Sequence, residues 1–209
     1  MNPLSTAKLI LISCAIGAAA AMHAAPADPE PDVLDMSIEE NLASPEVPSK
    51  ARTYVRTDID RLRRRLLSQG YTATATRQGE VLEVSIPASL LFAANDTVVK
   101  PSGAEKLAAF GELAREPRRY KIIIAAHSDD TGDETYSDHI TAARANAIDD
   151  ALWHMAGGTD TNTVPYGLGR DEPLRPNTSR KDRETNRRIE LYIVPDTGLL
   201  EAAGVKIKK

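Results

Sequence analysis

Residues 121–126, Lys-Ile-Ile-Ile-Ala-Ala, are the strongest constraint on what this chain can fold into. In an extended segment they place apolar or small side chains on both faces, and a strand of that kind must be covered from both sides. The segment is therefore predicted to be the central strand of a sheet. Helices are predicted on either side of it in sequence. Residues 101–116 carry Pro101 near the start and Leu107, Phe110, Leu113 and Ala114 on one face, and Pro117 stops them. Residues 135–155 keep Tyr136, Ile140, Ala143, Ala147, Ala151 and Met155 in helical register. Short strands are expected at 162–166 and 188–194, around a polar loop with Pro173 and Pro176, and a hairpin at 72–76 and 81–86 around Gln78-Gly79. Strands alternating with helices predict an α/β sandwich, with helices packed on a mixed β-sheet. No internal repeat is present.

The first 24 residues read as an export signal. Lys8 closes a short polar start, residues 9–21 are apolar, and small residues follow through Ala27. The apolar stretch is shorter than the roughly 20 residues of a spanning helix. Cys14 is the single cysteine, within Leu11-Ile12-Ser13-Cys14, so it is either discarded with the signal or acylated as the first mature residue. Membrane contact is expected only if Cys14 is acylated or the signal is retained. Residues 25–50, with Pro26, Pro29, Pro31, Pro45 and Pro48 among Ala, Glu and Asp, read as a tether. Residues 51–79 supply an amphipathic helix and the first part of the hairpin. In that helix Ile59, Leu62, Leu66 and Leu67 are spaced on one side, and Arg61, Arg63, Arg64 and Arg65 form a solvated basic face. The main domain is predicted over 80–195, followed by a tail of unassigned role, 196–209. A net charge of −4 argues against nucleic acid as a partner.

Arg144 is the first candidate functional residue. At 100° per residue it falls within the arc of Ile140, Ala147, Ala151 and Met155. A guanidinium on an apolar stripe either reaches past it to water or needs an anion, because a buried unpaired charge costs several kcal/mol. The expected partner is Asp129, just beyond the C-terminal end of the 121–126 strand, where ligands gather in open α/β sheets. Period-two alternation also places Arg187 on the side of Ile189, Leu191 and Ile193 and turns Arg188 away.

The string His127-Ser128-Asp129-x-x-Gly132-x-x-x-Tyr136-Ser137-x-x-Ile140-Thr141-x-x-Arg144-Ala145 resembles the OmpA C-terminal-like signature H-T-D-x-x-G-x-x-x-Y-N-x-x-L-S-x-x-R-A. Tyr166-Gly167-Leu168-Gly169 resembles that family's G-Y-G loop, Asn186-Arg187-Arg188-Ile189-Glu190 its N-R-R-V-E strand, and Leu91-Phe92 through Asn95 and Pro101 its opening block. The resemblance implies a βαβαββ domain that binds the diaminopimelate of the peptidoglycan stem peptide in the periplasm. It implies Asp129 and Arg144 as ligand-binding residues, with Asn95, Ser128, Ser137, Ile140, Thr141 and Arg187 as supporting contacts. Ser137 stands where the family has Asn, Ser128 where it has Thr, and Ala126 where it has Gly. An Asp beside an Arg is also the chemical complement of an ammonium and a carboxylate on one carbon.

Two other classes are less compatible with these residues. His127, Asp129, Asp130, Asp138 and His139 contain no H-x-x-x-H helix and no G-x-S-x-G elbow, so neither a metal-dependent enzyme nor a cell-wall hydrolase is expected. No metal, cofactor or catalytic residue is called for. An anchoring module of a membrane motor or secretion complex would need a spanning helix, for which residues 9–21 are short and uncharged. Further envelope-protein partners are compatible with the anchoring reading.

Overall fold

The computed structural model describes residues 36–207. The predicted signal, Cys14 and residues 25–35 of the predicted tether lie outside the described residues. In chain order the elements are α1 (Ile38–Ala43), α2 (Arg52–Ser68), β1 (Thr72–Thr76), β2 (Val81–Pro87), α3 (Ala88–Leu91), α4 (Pro101–Ala114), β3 (Tyr120–Ala126), α5 (Glu134–Met155), β4 (Thr163–Gly167), α6 (Arg180–Asn186), β5 (Arg188–Pro195) and α7 (Thr197–Ala202).

The five strands form one mixed sheet in the order β1-β2-β5-β3-β4. β3 and β4 run parallel, and the other neighbours are antiparallel. β5 takes the middle position that the sequence had suggested for β3. The buried double-apolar run needs a neighbour on each side, and β5 and β4 provide them. Every residue of β3 is buried, which an interior position one place from the edge already satisfies.

The main core lies on one face. Ile122 and Ile124 of β3, Leu82 and Val84 of β2, and Leu191 and Ile193 of β5 meet Ile59 and Leu66 of α2, Leu107 and Phe110 of α4, and Ile148 and Leu152 of α5. Alternation sends Val81, Ile123 and Val194 to the opposite face.

That opposite face corrects the reading of residues 25–50 as a tether throughout. Ser37 caps α1 in a reciprocal capping box with Glu40, and Leu42 joins Val81, Ile123 and Val194 under the sheet. Asn41 is fully buried. It donates to the Tyr166 hydroxyl (2.6 Å) and accepts from the Lys121 ammonium (2.9 Å). Burial lowers the Lys121 pKa, and Asp196 opposes that shift, so the Asn41 carbonyl offsets part of the desolvation of a cation. Val47 then packs into the main core. Part of the unassigned tail is folded, because Asp196 caps α7 and its Leu199 and Leu200 are buried. No helix among the described residues is long and apolar enough to cross a membrane.

Candidate functional site

A cavity of about 690 Å³ opens at the C-terminal end of β3, the position at which α/β sheets tend to hold ligands. The segment after β3 contributes Ser128, Asp129, Thr131 and Gly132 to its lining, and α5 contributes Tyr136, Ile140 and Arg144. α3 and the loop after it supply Ser89, Phe92 and Asn95, while α6 and its C-cap supply Arg180, Glu184 and Arg187.

Local hydrogen bonding explains why Asp129 sits where it does. The Ser128 amide donates to the Gly169 carbonyl (2.7 Å), and the Gly169 amide donates to the Thr141 hydroxyl (3.0 Å). These bonds tie the end of β3 to the loop after β4 and to the first turns of α5. Gly167 permits the approach, since a Cβ there would lie 2.3 Å from the Ala142 nitrogen. Asp129 is only 3% exposed. One carboxylate oxygen accepts the Thr131 amide (2.9 Å), and the other accepts from the Arg187 guanidinium.

Arg144 is similarly enclosed, at 6% exposed. Its Nε donates to the Asp96 carbonyl (2.9 Å), and the guanidinium lies 5.1 Å from the centre of the Phe92 ring. The Asp96 carboxylate is itself held by the Thr97 and Val98 amides (2.7 and 3.0 Å), a local turn that fixes the carbonyl aimed at Arg144. The two terminal nitrogens of Arg144 make no hydrogen bond and no ion pair among the described residues. Burial lowers its pKa, Arg187 pushes the same way, and Tyr136 and Asp96 oppose the shift. A buried guanidinium fork with both arms free among the described residues, beside a second arginine, has the chemistry to receive a carboxylate. Asp129, which has lone pairs beyond those used by Thr131 and Arg187, supplies a place for an ammonium next to it.

Comparison with known proteins bears on the family and the fold. The model of the OmpA family matches residues 91–187. Over these residues the chain is similar to that family. The probable lipoprotein YiaD of Escherichia coli is 24% identical over 139 residues, covering 66% of this chain and 63% of that relative. The chain thus spans less than two thirds of the length of that curated relative. Among solved structures, a putative MotB-like protein from Desulfovibrio vulgaris superposes with a TM-score of 0.60 at 23% identity, covering 69% of this chain and 98% of that one. The cell wall anchor of the type VI secretion system from Pseudomonas aeruginosa superposes with a TM-score of 0.53 at 22% identity, covering 72% and 100%. Both likenesses show the fold, a mixed sheet with helices packed on it.

Within the matched stretch, Asp129, Arg144, Asn95, Ser128, Ile140 and Arg187 all line the same cavity. Ser137 and Thr141 do not line it. Both are fully buried, and their hydroxyls donate to α5 carbonyls, Ser137 to Asp133 (3.2 Å) and Thr141 to Ser137 (2.9 Å). Thr141 instead holds the loop at Gly169. The expected direct pairing of Asp129 with Arg144 is replaced by Asp129 with Arg187. Arg187 is not a strand residue at all. It caps α6 with φ −73° and ψ 85°, so the cap geometry aims it, not strand alternation. Arg188 does turn to the opposite face, where it is buried against Glu190 (2.6 Å).

Sequence reasoning missed the α6 wall, where Arg180 and Glu184 face the cavity. The available signal was Ser179-x-x-Asp182, an N-cap pattern realised here by the Ser179 hydroxyl accepting the Asp182 amide (3.0 Å).

Proposed function

We propose that this domain binds peptidoglycan without cleaving it, through the diaminopimelate of the stem peptide, and so anchors or organises the cell envelope of an exported, periplasmic protein. The observation that carries the reading is Arg144, a buried guanidinium whose terminal nitrogens have no acceptor among the described residues and which lines the same cavity as Asp129. The free end of a diaminopimelyl residue bears an ammonium and a carboxylate on one carbon. Its carboxylate would take the Arg144 fork, with Arg187 adding positive potential beside it, and its ammonium would meet Asp129. Such recognition moves no proton and breaks no bond. The relatives support the coarser part of the reading, one being named a probable lipoprotein and one solved neighbour a cell wall anchor.

The test is titration of the full chain with stem peptides carrying either diaminopimelate or lysine at the third position. Lysine lacks the carboxylate and would leave Arg144 desolvated without an anion, a loss of on the order of 2 kcal/mol or more. At least tenfold weaker binding of the lysine peptide is expected. Equal affinities would refute the zwitterion reading even if the protein still sediments with the cell wall.

A further inference from the structure

The cavity is larger than its Asp129 and Arg144 corner. Its volume of about 690 Å³ falls in the roughly 300–1,000 Å³ range of sites that hold a whole small ligand. Its far wall is α6, where Arg180 and Glu184 stand one turn apart and both line the cavity. Neither side chain makes a hydrogen bond or an ion pair among the described residues, not even with the other. By contrast, Arg187 is committed to Asp129, and Arg183 on the same helix donates to the Asn177 carbonyl (2.8 Å). Of the three arginines in the lining, Arg144 and Arg180 have no carboxylate partner among the described residues, and they stand on separate walls of one space.

A ligand that uses both cations carries two carboxylates, one beyond the zwitterion of the diaminopimelyl end. A stem peptide offers such a carboxylate at its γ-linked second residue and at its free C-terminal end, and the terminal one is the carboxylate that capping or cross-linking removes. We propose that Arg180 is a second carboxylate subsite that reads this terminus, so that the domain prefers stem peptides with an open C-terminal end over those whose terminus is capped or cross-linked. This rests on the diaminopimelate reading and adds a specificity element to it. Glu184 lies beside the seated carboxylate and opposes it, which sharpens the requirement that Arg180 be charged. Arg180 is solvent-exposed at the first position of α6, so the contact is screened and its contribution is moderate.

The experiment uses the full chain and a stem tetrapeptide with diaminopimelate at its third position, prepared as the C-terminal acid and as the primary amide. Wild type is expected to favour the acid by about three- to tenfold, a charge-assisted contact at an exposed rim. Arg180→Gln is expected to bind acid and amide equally, at the affinity wild type shows for the amide, and Arg180→Lys to restore part of the preference. Glu184→Gln is expected to keep or enlarge it. Equal wild-type affinities, or a preference that survives Arg180→Gln, overturn the subsite while leaving the diaminopimelate reading standing. A preference lost in Glu184→Gln but not in Arg180→Gln overturns it as well. Failure of wild type to bind either peptide overturns both.

Discussion

Arg144→Met separates binding from folding more cleanly than any other change at this site. Methionine keeps the unbranched stem that crosses the apolar stripe and removes the fork. On the stability side, the change loses one hydrogen bond, from Nε to the Asp96 carbonyl at 2.9 Å, and a cation–π contact with Phe92 at 5.1 Å. Those are worth about 1 kcal/mol each. Against them stands relief from desolvating a cation that has no carboxylate partner among the described residues. The terms nearly cancel, and the unfolding free energy from urea titration is expected to change by about 1 kcal/mol or less. Binding has no such compensation, because the ligand carboxylate is left desolvated without its fork. Truncating one member of such a pair costs about 2 to 5 kcal/mol, which is about thirtyfold or more in Kd. Calorimetric titration with a diaminopimelate stem peptide reads the affinity directly. A folded Arg144→Met protein that binds within threefold of wild type would refute the argument from the free guanidinium.

Asp129→Asn keeps shape but leaves Arg187 without its anion, and is expected to weaken diaminopimelate binding at least tenfold while far-ultraviolet circular dichroism stays native. Glu190 gives a pH dependence. Burial would raise its pKa from 4.5, but hydrogen bonds from His127, Tyr192 and Arg188 overcome this and hold it at about 2. A depressed carboxylate stabilises the fold above its ordinary pKa, and that stability drains away as pH falls through about 2. Wild type is therefore expected to exceed Glu190→Gln by about 3 kcal/mol at pH 7. The gap should close between pH 4.5 and 2, and denaturation midpoints at several pH values that show a constant gap would contradict the network. Gly167→Ala would set a Cβ 2.3 Å from the Ala142 nitrogen, and a loss of about 1 to 3 kcal/mol is expected from chemical denaturation; an unchanged midpoint would show that β4 and α5 can separate at no cost.

What could be seen in the chain before its structure followed from how many residues carry each signal. β3 was legible because residues 121–126 put apolar or small side chains on both faces, the pattern of a strand covered from both sides, and all seven residues of β3 are buried. Arg144 was legible because α5 is 22 residues long, and one misplaced cation stands out against several turns of regular spacing. α1 has six residues, fewer than two turns, so Ile38 and Leu42 could not establish a period. α6 reads Arg-Lys-Asp-Arg-Glu-Thr-Asn, with Asn186 its one buried residue, so it has no apolar face to detect. Its place is set by polar bonds instead: the Asn186 side chain holds the amide and carbonyl of Arg175 (3.0 and 2.8 Å) and so pins the preceding loop. The Asp129–Arg187 pair was out of reach for a related reason. A strand pattern predicts which face a side chain takes, but the direction of Arg187 depends on how α6 ends.

The site also depends on a part of the sheet that it does not touch. On the face opposite the main core, Glu190 accepts from Arg188 (2.6 Å) and Tyr192 (2.6 Å) and lies 3.1 Å from His127. The His127 amide donates to the Arg188 carbonyl (2.9 Å), so backbone and side chains together lock the end of β3 to the start of β5. Asp129 follows His127 by two residues, and Arg187 precedes Arg188 by one. The two partners that meet in the cavity therefore leave a single clamped point of the sheet, and neither can shift without disturbing a buried, charge-assisted network. Removing Arg188 leaves Glu190 buried with fewer donors, which acts on folding before it acts on binding. An affinity lost at Arg188 thus reports the clamp, whereas one lost at Arg144, whose terminal nitrogens hold nothing among the described residues, reports the ligand.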